Sequence, residues 1–260
     1  MKRVITALLL IPFIAWVTLA SPPWVFYVVL AATGLLAYDE FDTIAAASGI
    51  ARAGLPGMAA GLVLLLAPNP EVVLVLIAML GMALALRVNN FAAALPAAAA
   101  FSLGVVYVFG AWRCAADLRA LNPHWLLFSM ALSWAGDTAA LCVGRPFGKH
   151  KMAPRVSPGK SWEGAAGSVA GSMLFGGVYA HYLIPQASLP EALALAAAGN
   201  IAGQLGDLCE SALKRGAGMK DSGTRLPGHG GWLDRLDSSL FSVPVVYALV
   251  KLLSAVQAPI

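Results

Sequence analysis

The sequence predicts an all-α, polytopic integral membrane protein with about nine transmembrane helices. Three observations predict it. The 260-residue chain is 59% hydrophobic and only 12% charged, with a mean hydropathy of +0.76, whereas a soluble domain carries about 25% charged residues. Apolar stretches close to the ~20 residues that a spanning helix needs recur along the chain. Lys and Arg gather between alternate stretches, the bias that orients membrane helices.

In chain order the candidate spans are 4–20, 24–41, 53–67, 72–87, 91–112, 125–143, 164–184, 190–213 and 238–257. The first follows Lys2 and Arg3. It reads as a retained span, because its apolar run is longer than a signal-peptide core, even though Thr18-Leu19-Ala20 loosely resembles a cleavage site. The second ends at Asp39, Glu40 and Asp42, which read as solvated. The third and fourth are short and punctuated by Pro56, Pro68 and Pro70, so a re-entrant hairpin stays open as an alternative. The fifth and ninth contain Pro96 and Pro244, which membrane helices tolerate. Trp16, Trp24, Trp112 and Trp125 fall near span ends, as interfacial belts require. Gly167 and Gly171 are four apart, as are Gly199 and Gly203. Such spacing serves close helix packing or, in a sharper reading, a dimer interface.

With the N-terminus inside, 14 of the 17 Lys and Arg residues fall on the inner side; Arg113, Arg119 and Lys251 fall outside. This places the N-terminus in the cytoplasm and the C-terminus outside. Loops 144–163 and 214–237 then share the cytoplasmic face. A single membrane domain, 1–260, is expected, with N-terminal spans in 1–130 and the chemistry in 131–260. The short loops favour a bacterial inner membrane. The net charge is +4 and the pI about 9.1. Because the basic residues sit between apolar stretches, anionic headgroups or phosphates are the expected partners, not nucleic acid. Cys114, Cys142 and Cys209 lack metal-ligand spacing and read as small buried hydrophobes.

Ionisable residues beside or inside spans are costly and usually functional. On a helix, Asp207, Glu210, Ser211 and Lys214 share one face. Asp234 and Asp237 share another. Two such carboxylate faces suit a hard cation such as Mg²⁺; salt bridges to Lys214, Arg215 and Arg235 are the equal alternative. Between them lies Leu226-Pro227-Gly228-His229-Gly230-Gly231, where glycines allow backbone N–H groups to approach an anion. A second cluster runs from Gly136-Asp137-Thr138 through Arg145, Lys149, His150, Lys151 and Arg155 to Ser157-Pro158-Gly159-Lys160-Ser161-Trp162-Glu163-Gly164. It reads either as a headgroup anchor or as a triphosphate site. Ser157 to Glu163 has helix-start character, with Pro158 near a first turn, and a helix N-terminus there would favour an anion. His124 and His181 read as interfacial or packing residues.

Ser211-Ala-Leu-Lys214-Arg215, four residues, Lys220-Asp221, then Leu226 to Gly231, then Asp234-Arg235-Leu236-Asp237 resembles the signature of the phosphatidate cytidylyltransferase (CDP-diacylglycerol synthase) family. Asp137-Thr138, Phe147-Gly148-Lys149 and Ser157 to Gly164 resemble its upstream motifs. The similarity covers most of 133–240; the first 130 residues agree only in being apolar spans. Trp232, Leu141, Gly159 and Ser161 depart from the family pattern, and none of them removes a carboxylate or the glycine loop.

The resemblance implies transfer of CMP from CTP to phosphatidate, giving CDP-diacylglycerol and pyrophosphate. It also implies a homodimer, dependence on Mg²⁺ with ligands at Asp207 and Asp234, and K⁺ as a candidate second cation. Asp221 and Asp237 are assigned as supporting groups. Lys149, Lys160, Lys214, Arg215 and Arg235 would neutralise phosphates. Ser157, Lys220, His229, Asp137 and the backbone of Gly230 and Gly231 would bind substrate. The alternatives are an enzyme of the same kind acting on an isoprenoid or ether-lipid phosphate, and a transporter. A CDP-alcohol phosphatidyltransferase is excluded by the absence of the motif D-G-x-x-A-R.

Overall fold

The computed structural model describes residues 2–225 and 230–257. All nine predicted apolar segments are helical. They fall on α1 (Lys2–Leu19), α2 (Pro23–Ala47), α3 (Leu55–Leu66), α4 (Pro70–Ala85), a composite run from Phe91 to Leu121, α7 (Pro123–Phe147), α8 (Trp162–Leu183), α9 (Leu189–Gly216) and α10 (Leu233–Gln257). The composite run joins a 3₁₀ turn (Phe91–Ala93), α5 (Ala94–Val105), a π turn (Val106–Gly110) and α6 (Ala111–Leu121). Among the described residues, four helices are long and apolar enough to cross a bilayer: Pro23–Ala47, Phe91–Leu121, Pro123–Phe147 and Leu233–Ala255. Leu10–Leu19, Leu55–Leu66 and Pro70–Ala85 are apolar but shorter. Large apolar side chains lie open on these helices, among them Phe91 at 83%, Leu86 at 80% and Leu55 at 79% exposure. Apolar surface of this extent belongs in lipid; the chain is an integral membrane protein.

The described residues divide into two compact units. The first comprises Pro22–Arg113 and Leu213–Leu236 with the start of α1. Its core is aromatic: Tyr38 meets Phe109, and Phe41 meets Tyr107 edge-on. Glycines admit these rings. A Cβ at Gly61 would run into Phe109, and one at Gly57 into Tyr38. Phe109 sits in the π turn, fully buried with Val108. The wide turn is where a helix redirects side chains without breaking its backbone ladder.

α2 continues six residues past its predicted end at 41. Glu40 and Asp42 are therefore mid-helix and buried, at 3% and 4% exposure, not solvated as their sequence position suggests. Asp42 accepts the backbone N–H groups of Ala53 (2.9 Å) and Gly54 (2.9 Å) and pairs with Arg52 (3.3 Å). It thereby fixes the turn that enters α3.

The second unit comprises Ile11–Ser21, Cys114–Ala212 and the chain from Asp237 onward. Arg119 donates to the carbonyls of Thr18 (2.8 Å) and Ser21 (2.5 Å), which anchors the end of α1. Asn122 caps α7 by accepting from His124 N–H (2.9 Å), and Pro123 occupies the first turn. α7 and α8 pack backbone to backbone. A Cβ at Gly167 would lie 2.7 Å from Val143 Cβ, and Gly144 sits 3.3 Å or more from Gly164 by the same measure. The Gly199 and Gly203 spacing serves the same end, against Leu132, Val246 and Ser133.

One expected element is corrected. Ser157–Ser161 is not a helix start but a strand, β2, paired antiparallel with β1 (Lys151–Ala153) in the register Lys151↔Ser161 and Ala153↔Ser157. The helix begins only at Trp162, where Ser161 caps α8 by accepting Gly164 N–H (3.2 Å). Pro158 lies inside the strand.

Candidate active site

In the second unit the hairpin and α7, α8 and α9 enclose a cleft of about 700 Å³, within the size range of small-molecule sites. Its rim is charged: Asp137 and Arg145 from α7, Lys151 and Lys160 from the hairpin, Asp207 from α9. Lys160 and Asp207 form an ion pair at 2.7 Å, each partly exposed, and Ser211 supports Asp207 at 3.3 Å, one turn along α9. The interior is uncharged, with the polar side chains Ser133, Ser168, Asn200 and Gln204 set among Ala140, Leu141, Met152 and Ala165. Asn200 Nδ2 donates to Ser172 Oγ (2.8 Å) and Ser168 Oγ (3.1 Å), and Gln204 Nε2 donates to Asn200 Oδ1 (2.6 Å). The two Asn200–serine bonds cross from α9 to α8, and interhelical bonds contribute about 0.6–2 kcal/mol each in a bilayer. Asp137, Ser157, Lys160 and Asp207 are thus brought together, and Arg145 and Lys151 join them.

Lys149 is not in that cleft. It lines an open groove with His150, Trp162 and Glu163. There the Glu163 carboxylate meets His150 Nδ1 at 2.6 Å and accepts His150 N–H at 3.2 Å. Its own backbone N–H, the His150 ring and the N–H groups of His150 and Lys149 hold the Glu163 carboxyl down at about 2, against a smaller opposing effect of burial. Asp237, largely buried, accepts Ser238 N–H at 2.6 Å; Ser238, not Asp237, reaches the cleft.

In the first unit a second charged cluster forms at the start of α10. Lys214 Nζ lies 2.5 Å from Asp234 Oδ1, with both side chains under 10% exposed, at 9% and 7%. Asp234 Oδ2 accepts the backbone N–H groups of Gly231 (2.7 Å) and Ser222 (2.9 Å). Gly230 has φ +79°, a left-handed conformation that glycine adopts without strain, and packs beside Asp234 and Asp221. A Cβ at Gly231 would run into Ser222 Oγ and Glu40 Oε2. Asp221, Lys214, Gly230, Gly231 and Asp234 therefore do gather. Arg215 turns to the carbonyl of Met219 (3.1 Å), and Lys220 and Arg235 are exposed. His229, with Leu226–Gly228, lies outside the described residues.

Reasoning from sequence missed what the end of α2 contributes to this cluster. Asp39 binds Arg225 (2.5 Å) and Arg52 (2.7 Å). Glu40 Oε2 accepts from Ser222 Oγ (2.9 Å) and from Leu233 N–H (2.8 Å). The available signal was a carboxylate inside an apolar helix, hidden by drawing the span too short.

Both Asp207 and Asp234 hold a lysine ammonium at hydrogen-bond distance. These carboxylates thus already accept a cation, and a hard cation completed by water and phosphate oxygens needs few protein ligands. Among the described residues no three His, Cys, Asp or Glu side chains gather in one metal-holding group.

Residues 1–253 match a family described as the cytidylyltransferase family. A phosphatidate cytidylyltransferase of Haemophilus influenzae is 39% identical over 153 residues, 56% of this chain and 53% of that protein. One from Bacillus subtilis is 37% identical over 158 residues, 59% of this chain and 58% of that protein. One from Staphylococcus saprophyticus is 39% identical over 153 residues, covering 58% and 59%. The chain thus spans between 53% and 59% of the length of these relatives.

Proposed function

The chain belongs to the cytidylyltransferase family, and from that premise we propose that it transfers CMP from CTP to phosphatidate, giving CDP-diacylglycerol and pyrophosphate. The observation that carries the reading is the cleft with a charged rim and an uncharged interior that carries polar side chains, in which Lys160 is paired with Asp207. A nucleoside triphosphate has the same division: an anionic tail and a neutral polar base.

In the proposed reaction a phosphate oxygen of phosphatidate attacks the α-phosphorus of CTP. The bond from that phosphorus to the β-phosphate oxygen breaks, and pyrophosphate leaves. The nucleophile is already an anion, so no protein base is required. The difficulty is bringing two polyanions together, and the protein's task is positioning and charge neutralisation. Lys160, with Arg145 and Lys151 on the same rim, would hold the triphosphate; Asp207 would orient Lys160. Lys214, Arg215, Arg235 and the N–H groups of Gly230 and Gly231 would meet phosphate at the other charged cluster, with Lys149 as an outer contact. Asp207 and Asp234 would hold Mg²⁺, with K⁺ as a second cation, and Asp221 and Asp237 as supporting groups. The metal would supply further charge neutralisation at the transferred phosphoryl group.

The protein would act as a homodimer of one membrane domain per chain, with nine crossings. Both signature loops would face the cytoplasm of a bacterial cell, at its inner membrane. The substrate's acyl chains would stay in the bilayer.

The test is direct. The purified protein in detergent receives phosphatidate, α-labelled CTP and Mg²⁺, with Asp234→Asn and an EDTA-treated sample beside it. Label in the lipid phase, lost in both controls, supports the reading. Label transferred only to an isoprenoid or ether-lipid phosphate would replace phosphatidate as substrate. No transfer to any lipid phosphate would remove the enzymatic reading.

A further inference from the structure

We infer that Glu40, on a helix outside the signature region, is a positioning residue for Asp234. The inference rests on the reading of Asp234 as part of the reaction site. Glu40 is 3% exposed, and its Oε2 accepts two hydrogen bonds. One comes from Leu233 N–H at 2.8 Å, at the first residue of α10. First-turn N–H groups have no partner within their own helix, and a carboxylate there also meets the positive end of the helix dipole. The other comes from Ser222 Oγ at 2.9 Å.

Ser222 carries the constraint onward. Its Oγ accepts Asp234 N–H at 3.3 Å, and its own N–H donates to Asp234 Oδ2 at 2.9 Å. Asp234 Oδ1 then pairs with Lys214 at 2.5 Å. A continuous path of hydrogen bonds thus leads from α2 to the Asp234 carboxylate, and Glu40 is its buried end. Gly231 and Gly223 keep the segment close enough, because a Cβ at either would meet the Glu40 carboxylate. Asp39, the neighbouring residue, holds Arg225 of the same segment at 2.5 Å. The end of α2 therefore clamps Ser222, Arg225 and Leu233, with Glu40 setting the orientation of Asp234 and Asp39 restraining Arg225.

A displacement of a reacting group by about 1 Å costs on the order of 100-fold in rate. Three variants test the assignment in full-length protein: Glu40→Gln, which keeps the shape and one acceptor; Glu40→Ala; and Glu40→Ala with Ser222→Ala. Hydrogen–deuterium exchange over 218–236 is read alongside turnover per folded molecule. The expected result is a kcat between about tenfold and 100-fold below wild type for Glu40→Ala, with a smaller loss for Glu40→Gln. KM for CTP should hold within about twofold, because the Lys160 cleft is untouched. Exchange at Ser222, Leu233 and Asp234 should rise, and rise further in the double variant, because Ser222 Oγ also accepts Asp234 N–H. Wild-type kcat in folded Glu40→Ala, or undisturbed exchange over this segment, would overturn the inference. The exchange readout does not depend on the reaction. If wild-type protein transfers no label, the functional reading fails, while unchanged exchange in the variants would still sink the role of Glu40 by itself.

Discussion

At the scale of single residues, the molecule separates charges that are buried and fully engaged from charges left partly exposed at the cleft. Asp42 has its two oxygens committed to Ala53, Gly54 and Arg52 and is buried; it is structural. Lys160 and Asp207 are partly exposed on the rim of the cleft, where a phosphate can displace one partner. Losing a charge-assisted hydrogen bond costs about 1.5–3 kcal/mol, so Lys160→Ala should raise KM for CTP about tenfold or more with a smaller effect on kcat. Steady-state kinetics at varied CTP checks this; an unchanged KM would remove Lys160 from the triphosphate. Glu163 gives a prediction of opposite kind. Its folded value is about 2, below the ordinary 4.5, so its contribution is fully present above about 4.5 and fades only as pH falls toward 2. Exchange protection at His150 should therefore show no loss attributable to Glu163 until the pH falls below about 4.5.

At the scale of elements, what the sequence revealed and what it hid divide by range. Helices were legible because each is written in its own local hydropathy; all nine apolar segments are helical, with ends displaced by up to nine residues. The hairpin was not legible. Ser157-Pro158-Gly159-Lys160-Ser161 holds no β-branched or aromatic residue, and it becomes a strand only by pairing with Lys151–Ala153. Glu40 was missed for a similar reason. Its partners, Ser222 and Leu233, lie 182 and 193 residues away in the chain, and the local pattern offers only a carboxylate near a span end. The α7–α8 packing is a purely steric matter. Gly167→Leu should destabilise the protein by about 1–3 kcal/mol, because its Cβ already lies 2.7 Å from Val143. Gly159→Ala, with nothing within 4 Å of its Cβ, should leave the thermal midpoint in detergent unchanged. Equal midpoints for the two variants would mean that α7 and α8 do not pack this closely.

At the scale of the whole molecule, the apolar exterior puts the chain in a membrane, and the Lys and Arg distribution gives the proposed orientation. Cysteines placed at Lys151 and Met219 should both react with an impermeant maleimide in inside-out vesicles and stay protected in sealed right-side-out ones. Opposite labelling of the two positions would break the shared cytoplasmic face on which the proposed function depends. The central claim is that a CMP unit passes from CTP to a phosphatidate phosphate, and CTP labelled differently at its α and γ phosphorus tests it most directly. The account predicts α label in the lipid and γ label released as pyrophosphate, in equal amounts. Gamma label in the lipid, or neither label there from folded wild-type protein, would contradict it.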